Sequence, residues 1–151
     1  MPRVASDGNA SVRVVLDTNT IVSGLLWRGP PRQLLDAARE TRITLYSSAA
    51  LVAELAEVIA RERFLPHLRT AGVSAVELVA DFAQLAKLII PAEIGPTVTG
   101  DPDDDQVLAC ALAAEAQMIV SGDHRIRNLK TYQSIPIVGA AEALKRLPRA
   151  M

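Results

Sequence analysis

Short apolar runs alternate with longer segments of helical periodicity along most of the chain. Runs rich in valine, isoleucine and leucine predict strands at residues 12–16, 43–46, 88–90, 117–120 and 135–138. Each run is only three to five residues long and ends at polar residues, glycine or proline. The pattern is typical of buried strands in a sheet.

Amphipathic spacing and capping residues predict helices after every strand except the one at 117–120. Ser47 or Ser48 caps the third of these helices, and Ser74 forms a capping box with Glu77 at the start of the fourth. The predicted helices cover residues 18–26, 32–42, 48–63, 74–87, 102–116 and 140–147. Strands that alternate with helices predict an α/β fold whose parallel sheet is covered on both faces.

Length and composition place the chain among single-domain globular proteins. Its 151 residues suit one domain, which we expect at 12–151 after a flexible segment at 1–11. Half of the residues are hydrophobic, and the net charge is −1, which argues against a disordered chain. A single cysteine excludes a disulfide framework and a cysteine-based zinc site. Without a membrane-spanning run or a secretory signal, a cytoplasmic protein is expected.

Acidic residues follow two of the predicted strands and border one predicted helix. Asp17 ends the first strand and Asp123 follows the fourth, so a parallel sheet brings both to the same edge. Glu54 lies at the border of the apolar stripe of the third helix. Each has an ordinary alternative: Asp17 as a helix cap, Asp123 as a turn residue, and Glu54 as a solvated glutamate.

The densest acidic segment is residues 101–105. On a helix that begins at Pro102, Asp101, Asp104 and Asp105 share the apolar face, whereas Asp103 points away. Asp101 and Asp104 are also explained by the preference of a helix N-terminus for anions. Asp105 leans toward the core, and residues 101–117 contain no lysine or arginine to balance it. A divalent cation would supply that charge.

Carboxylates without cysteine or clustered histidine favour hard cations such as Mg²⁺ or Mn²⁺. Such ions suit phosphodiester substrates, because they neutralise the phosphate, activate water and stabilise the leaving oxygen. The acidic pattern therefore predicts metal-assisted hydrolysis of a phosphodiester.

Four segments together resemble the motifs of PIN-domain nucleases. They are Val-Val-Leu-Asp-Thr-Asn at 14–19, Glu54, Asp-Gln-Val-Leu-Ala-Cys-Ala at 105–111, and Val-Ser-Gly-Asp at 120–123. The resemblance spans residues 13–147, and the whole pattern is similar to VapC-like toxins of type II toxin–antitoxin systems.

The resemblance implies a three-layer α/β/α PIN-like fold with a central parallel sheet of about five strands. It also implies an endoribonuclease that uses Mg²⁺ or Mn²⁺. The expected partners are a cognate antitoxin and a second copy of the chain, and no membrane association is expected. By position, the catalytic and metal-binding acids would be Asp17, Glu54, Asp105 and Asp123, with further metal contacts from Asp101 and Asp104. Hydrogen bonds to these acids would come from Thr18, Asn19 and Ser121, and RNA contacts from Arg125 and Arg127.

Other functions remain open at this point. A catalytically silent PIN-like module that binds RNA or protein would use the same fold. A phosphoacceptor receiver domain is disfavoured, because Asp17 stands alone after the first strand and no lysine lies near 135–138. Trp27, near the end of the first helix, could stack on a base or cover a helix junction or dimer contact.

Overall fold

The computed structural model describes residues 11–95 and 100–148. Almost all of the predicted flexible segment at 1–11 therefore lies outside the described residues. The strands are β1 (Val12–Leu16), β2 (Ile43–Ser47), β3 (Lys87–Leu88), β4 (Met118–Val120), β5 (Thr131–Tyr132) and β6 (Ile135–Val138). The helices are α1 (Thr18–Leu26), α2 (Pro30–Arg39), α3 (Ala49–Ile59), α4 (Leu65–Ala71), α5 (Ala75–Leu85), α6 (Pro102–Ala114), α7 (His124–Arg127) and α8 (Ala140–Lys145), with a 3₁₀ turn at Glu62–Phe64.

The described strands form one sheet in the order β3-β2-β1-β4-β6-β5. Every neighbouring pair is parallel except β5 and β6, which form an antiparallel hairpin at the edge. The predicted α/β fold with a central parallel sheet is confirmed. Because β1 and β4 are neighbours, the residues that follow them meet at the carboxyl edge of the sheet.

Both faces of the central strands are buried, which explains why these strands are largely apolar. Val14 and Leu16 point into one core, formed with α1, α2, α3, α5 and α8. Val15 points to the opposite face, where Leu108 of α6 and Ile126 of α7 belong to a second core. The alternation along β1 thus places helices on both faces of the sheet and produces three layers.

Several predicted boundaries are wrong, mostly near short elements. The third helix ends at Ile59 and not at 63, and a 3₁₀ turn followed by α4 takes the chain onward. Pro66 lies in the first turn of α4, where its missing N–H costs nothing. The third strand covers only two residues, and Ile90, predicted as part of it, is 89% exposed. The short elements β5 and α7 were not predicted. None of the helices described is long and apolar enough to cross a membrane.

The close approach of α1 and α2 depends on the absence of a side chain at Gly24. A Cβ atom there would lie 2.9 Å from the carbonyl oxygen of Pro31 and 2.9 Å from Cδ1 of Leu35. The backbone carbonyl cannot move without shifting the start of α2. We therefore expect Gly24→Val to lower the free energy of unfolding by about 2 kcal/mol, as overpacked sites do, measured by urea denaturation.

Gly95→Val provides the matched control, because a Cβ at Gly95 would meet no atom within 4 Å. Equal stability of the two variants would contradict the proposed tight contact between α1 and α2.

Candidate active site

A small acidic cleft lies at the carboxyl edge of the sheet, where α1, α3 and α6 converge. Its volume is about 120 Å³. Carboxylates from four separate parts of the chain line it together with a few polar and apolar side chains. The lining residues are Asp17, Thr18, Asn19, Glu54, Val58, Arg61, Asp103, Asp104, Val107 and Asp123.

Asp17 and Asp123 are joined by the hydroxyl group of Ser121. Oγ of Ser121 donates to Oδ2 of Asp17 at 2.5 Å and accepts from the backbone N–H of Asp123 at 2.9 Å. The other oxygen of Asp17 accepts from the N–H of Thr20 at 2.8 Å and so caps α1. Both Asp17 and Ser121 are buried, so these bonds fix one wall of the cleft.

Glu54 reaches the cleft from the middle of α3. The hydroxyl group of Thr18 donates to Oε1 of Glu54, which links α3 to the start of α1. Partial burial raises the pKa of the Glu54 carboxyl, and the nearby Asp103 raises it further against the lowering effect of Thr18. The ionised form of Glu54 is therefore disfavoured by its surroundings.

Asp104 is the most confined carboxylate at the start of α6. Asp101 caps this helix by accepting from the N–H of Asp103 at 2.9 Å, and Asp104 follows in the first turn. The Asp104 side chain is only 12% exposed, and among the described residues its buried Oδ2 has no hydrogen-bond partner. Burial, followed by the charges of Asp101 and Asp123, raises its pKa to about 6.

Arg125 supplies positive charge to this cluster from α7. Its Nη2 lies 3.1 Å from Asp123, 3.3 Å from Asp101 and 3.8 Å from Asp104. Hydrogen bonds from the Arg125 side chain and backbone lower the pKa of Asp123. The guanidinium side chain is 62% exposed, so it covers the acids from the solvent side. The single positive charge of Arg125 thus offsets part of the repulsion among three carboxylates.

Three of the four predicted catalytic acids line the cleft, namely Asp17, Glu54 and Asp123. The structure does not place Asp105 among the lining residues and places Asp104 there instead. Asp103, which the sequence placed on the far side of the helix, also lines the cleft. Successive helical residues differ by about 100° in direction, so the cleft faces residues one position earlier than predicted.

The predicted supporting residues divide into two groups. Thr18 and Ser121 hydrogen-bond to the acids, and Asn19 lines the cleft. Arg127 is exposed, and its guanidinium group lies close to Gly139 at the start of α8, not in the cleft. Arg61 also lines the cleft, although the sequence pattern does not distinguish it from several other arginines. Its position two residues after α3, the helix of Glu54, is the signal that identifies it.

The donor atoms of the cleft fit Mg²⁺ or Mn²⁺, because carboxylate oxygens are the ligands that these ions prefer. The buried Oδ2 of Asp104, which lies 3.8 Å from Arg125 but accepts no hydrogen bond within the described residues, is an acceptor that a cation would satisfy. In the described part of the chain, however, no three acidic, histidine or cysteine side chains form a group that could already hold a metal ion. Arg125 supplies the positive charge instead, so binding of a divalent ion requires its guanidinium group to move.

The raised pKa of Asp104 predicts a specific dependence of stability on pH. Between its ordinary pKa of 3.8 and the folded value of about 6, the folded chain holds a proton that the unfolded chain has lost. The resulting stabilisation is complete below the lower value and is lost as the pH rises through the higher one. We expect Asp104→Asn to raise the Tm relative to the wild type by several degrees more at about pH 7 than at about pH 4.

Thermal unfolding of the metal-free protein across this pH range measures the effect. Asp105→Asn removes the neighbouring carboxylate, which does not line the cleft, and should leave the pH profile as in the wild type. A profile changed by Asp105→Asn and unchanged by Asp104→Asn would refute the assignment.

Comparison with known proteins identifies the family of this chain. A comparison with curated proteins found no significant similarity. A family model described as a PIN domain matches residues 13–125, a segment that includes every acid of the cleft and Arg125. PIN domains are usually nucleases and generally use divalent metal ions. Because this family model matches more than half of the sequence, the chain belongs to the PIN domain family.

Proposed function

We propose that this protein is an endoribonuclease that depends on Mg²⁺ or Mn²⁺ and acts in the cytoplasm. The observation that carries the proposal is the convergence of Asp17, Glu54, Asp104 and Asp123 on one cleft. The buried oxygen of Asp104 without a hydrogen-bond partner supports it. Membership in a family of nucleases makes phosphodiester hydrolysis the best-supported chemistry for these carboxylates.

The residues of the cleft divide the work between holding the ion and binding the substrate. The carboxylates of Asp17, Glu54, Asp104 and Asp123 would hold the ion once Arg125 has moved. A bound divalent cation supplies neutralisation of the phosphate, activation of water and stabilisation of the leaving oxygen. Ser121 keeps Asp17 oriented by its hydrogen bond. Arg125, displaced from the acids, is placed to bind a phosphate of the substrate at the rim.

A silent binding module is the alternative function, and the cleft argues against it. A protein that only binds RNA or protein gains nothing from gathering like charges and from burying a carboxylate oxygen that accepts no hydrogen bond from the described residues. Such an arrangement lowers stability and is typical of sites where the charge serves catalysis.

We further propose that the protein is the toxin of a type II toxin–antitoxin pair, bound by a cognate antitoxin and paired with a second copy. The basis is the similarity of its motifs to VapC-like toxins. Growth arrest when the wild-type chain is expressed without a partner would support this role.

Substitution of single acids tests the nuclease directly. We expect Asp104→Asn to reduce RNA cleavage in Mg²⁺ or Mn²⁺ by at least about 100-fold, since loss of a metal ligand removes several kcal/mol of transition-state stabilisation. Cleavage of a labelled single-stranded RNA measures the rate. Growth of cells that express the wild type or Asp104→Asn measures the effect of the same substitution in vivo.

Asp105→Asn is the control, because it removes a neighbouring charge from the same helix but outside the cleft. It should retain most of the activity. The reverse result would assign the catalytic role to Asp105, as the sequence resemblance implies. Equal activity of Asp17→Asn, Asp104→Asn and the wild type would end the nuclease proposal.

Competition between Arg125 and the metal ion gives a second prediction. Because Arg125 contacts three carboxylates of the cluster, its removal should free them for a divalent cation. We expect Arg125→Ala to bind Mn²⁺ about tenfold more tightly, which corresponds to ~1.4 kcal/mol, and to bind RNA more weakly. Isothermal titration with Mn²⁺ measures the first effect.

Arg127→Ala is the matched control, since Arg127 is an exposed arginine of the same short helix whose guanidinium group lies close to Gly139. It should leave Mn²⁺ affinity unchanged. Weaker Mn²⁺ binding by Arg125→Ala would show that Arg125 supports the ion and does not compete with it.

A further inference from the structure

An aromatic cluster lies on the surface at the end of α1. Trp27, the only tryptophan of the chain, is 40% exposed. Its ring centroid lies 4.9 Å from that of His67 and 6.1 Å from that of Phe64, with interplanar angles of 78° and 61°. Both contacts are edge-to-face, so neither ring stacks in parallel on the indole. Trp27 is thus held in place by its neighbours and remains open to solvent.

This cluster is connected to the acidic cleft by two helices. α1 begins at Asp17 in the cleft and ends beside Trp27, a distance of about 15 Å at the helical rise per residue. α3 packs beside α1 and carries Glu54 into the cleft. The chain after α3 then supplies Arg61 to the cleft and Phe64 to the aromatic cluster. A short ligand could therefore contact the cleft and Trp27 at the same time.

Positive side chains surround the cluster in an otherwise slightly acidic protein. Arg63 lies over the ring of Phe64, with its guanidinium carbon 4.7 Å from the ring centroid. Arg28 follows Trp27 in sequence and is exposed, as is Arg61, whose Nη2 also lies 3.4 Å from Oε1 of Glu57. A partly exposed aromatic ring with arginines nearby suits a nucleobase with its phosphates, because the ring can stack on the base and the cations attract the backbone.

We propose that Trp27 is a base-stacking subsite for single-stranded RNA, with Arg61 and Arg63 binding the backbone between Trp27 and the cleft. This proposal rests on RNA being the substrate, as argued above, and adds where an unpaired base is bound. A base can reach Trp27 only when it is unstacked, so the subsite favours single strands over duplexes.

The single tryptophan allows a direct test with the wild-type protein. Its fluorescence is recorded during titration with an oligo(A) RNA of about 10 nucleotides, in EDTA so that metal-dependent cleavage cannot occur. Saturable quenching by the single strand, with little or none by a duplex of the same length, is the expected result. Binding of the single strand without any change in fluorescence would overturn the proposal.

Affinity measured by polarisation of a labelled oligo(A) tests the same contact in variants. We expect Trp27→Ala to weaken binding by about 5- to 150-fold, the loss expected for one base–aromatic stack, and Trp27→Phe to retain most of the affinity. Val76→Ala is the control, since Val76 is a 78% exposed apolar residue on α5. Circular dichroism of each variant checks folding. If Trp27→Ala is unfolded, the RNA affinities of Arg63→Ala and Arg69→Ala are compared, and only Arg63→Ala should bind more weakly.

The test separates this subsite from the nuclease proposal. Quenching of Trp27 without RNA cleavage in Mg²⁺ or Mn²⁺ would support the subsite and refute the nuclease. Cleavage that Trp27→Ala does not change, without quenching in the wild type, would support the nuclease and refute the subsite. A change of Trp27 fluorescence with protein concentration alone, matched by dimer formation, would assign Trp27 to a protein contact and overturn the subsite.

Discussion

Repulsion among carboxylates at the carboxyl edge of the sheet is the constraint on which the arrangement of this site depends. The parallel pairing of β1 with β4 brings Asp17 and Asp123 together, and the packing of α6 adds Asp104. Like charges this close are stable only with protonation or a positive partner. Both occur here, since the pKa of Asp104 rises and Arg125 pairs with the cluster. A divalent cation would satisfy the same requirement, which links the fold to the proposed chemistry.

The acids also have structural roles, and these roles hold the cluster in place. Asp17, Asp101 and Asp123 each cap a helix, at the starts of α1, α6 and α7. A helix N-terminus favours a negative charge by about 0.3–1 kcal/mol, so each cap offsets part of the repulsion. For Asp17 and Asp123, the ordinary explanation as a cap and the proposed explanation as a metal ligand are therefore compatible. The short α7 matters for a further reason, because it orients Arg125 toward the acids.

The sequence predicted the sheet well and the details of the site less well, for identifiable reasons. Strands buried on both faces leave continuous apolar runs, so β1 and β6 were predicted with their observed bounds. Two-residue strands and a four-residue helix leave no periodicity to detect. Asp104 was ranked below Asp105 because consecutive acids on a helix differ only in the direction in which they point. Which of those directions faces the cleft is decided by tertiary packing. Arg125 was expected to bind RNA. Its pairing with Asp101 and Asp104 depends on the packing of α7 beside the start of α6, which the sequence pattern does not show.

Separation of charge along α1 would explain how a protein of net charge −1 binds RNA in the way proposed above. Asp17 begins the helix in an acidic cleft, and Trp27 follows its end beside arginines. The cleft repels RNA until a cation is bound, whereas the aromatic end attracts it by stacking, which needs no excess of positive charge. Affinity then depends on the local arrangement of a few side chains and not on bulk basicity. On this proposal, a bound metal ion would reduce the repulsion of RNA at the cleft, whereas binding of a base at Trp27 would not depend on the ion.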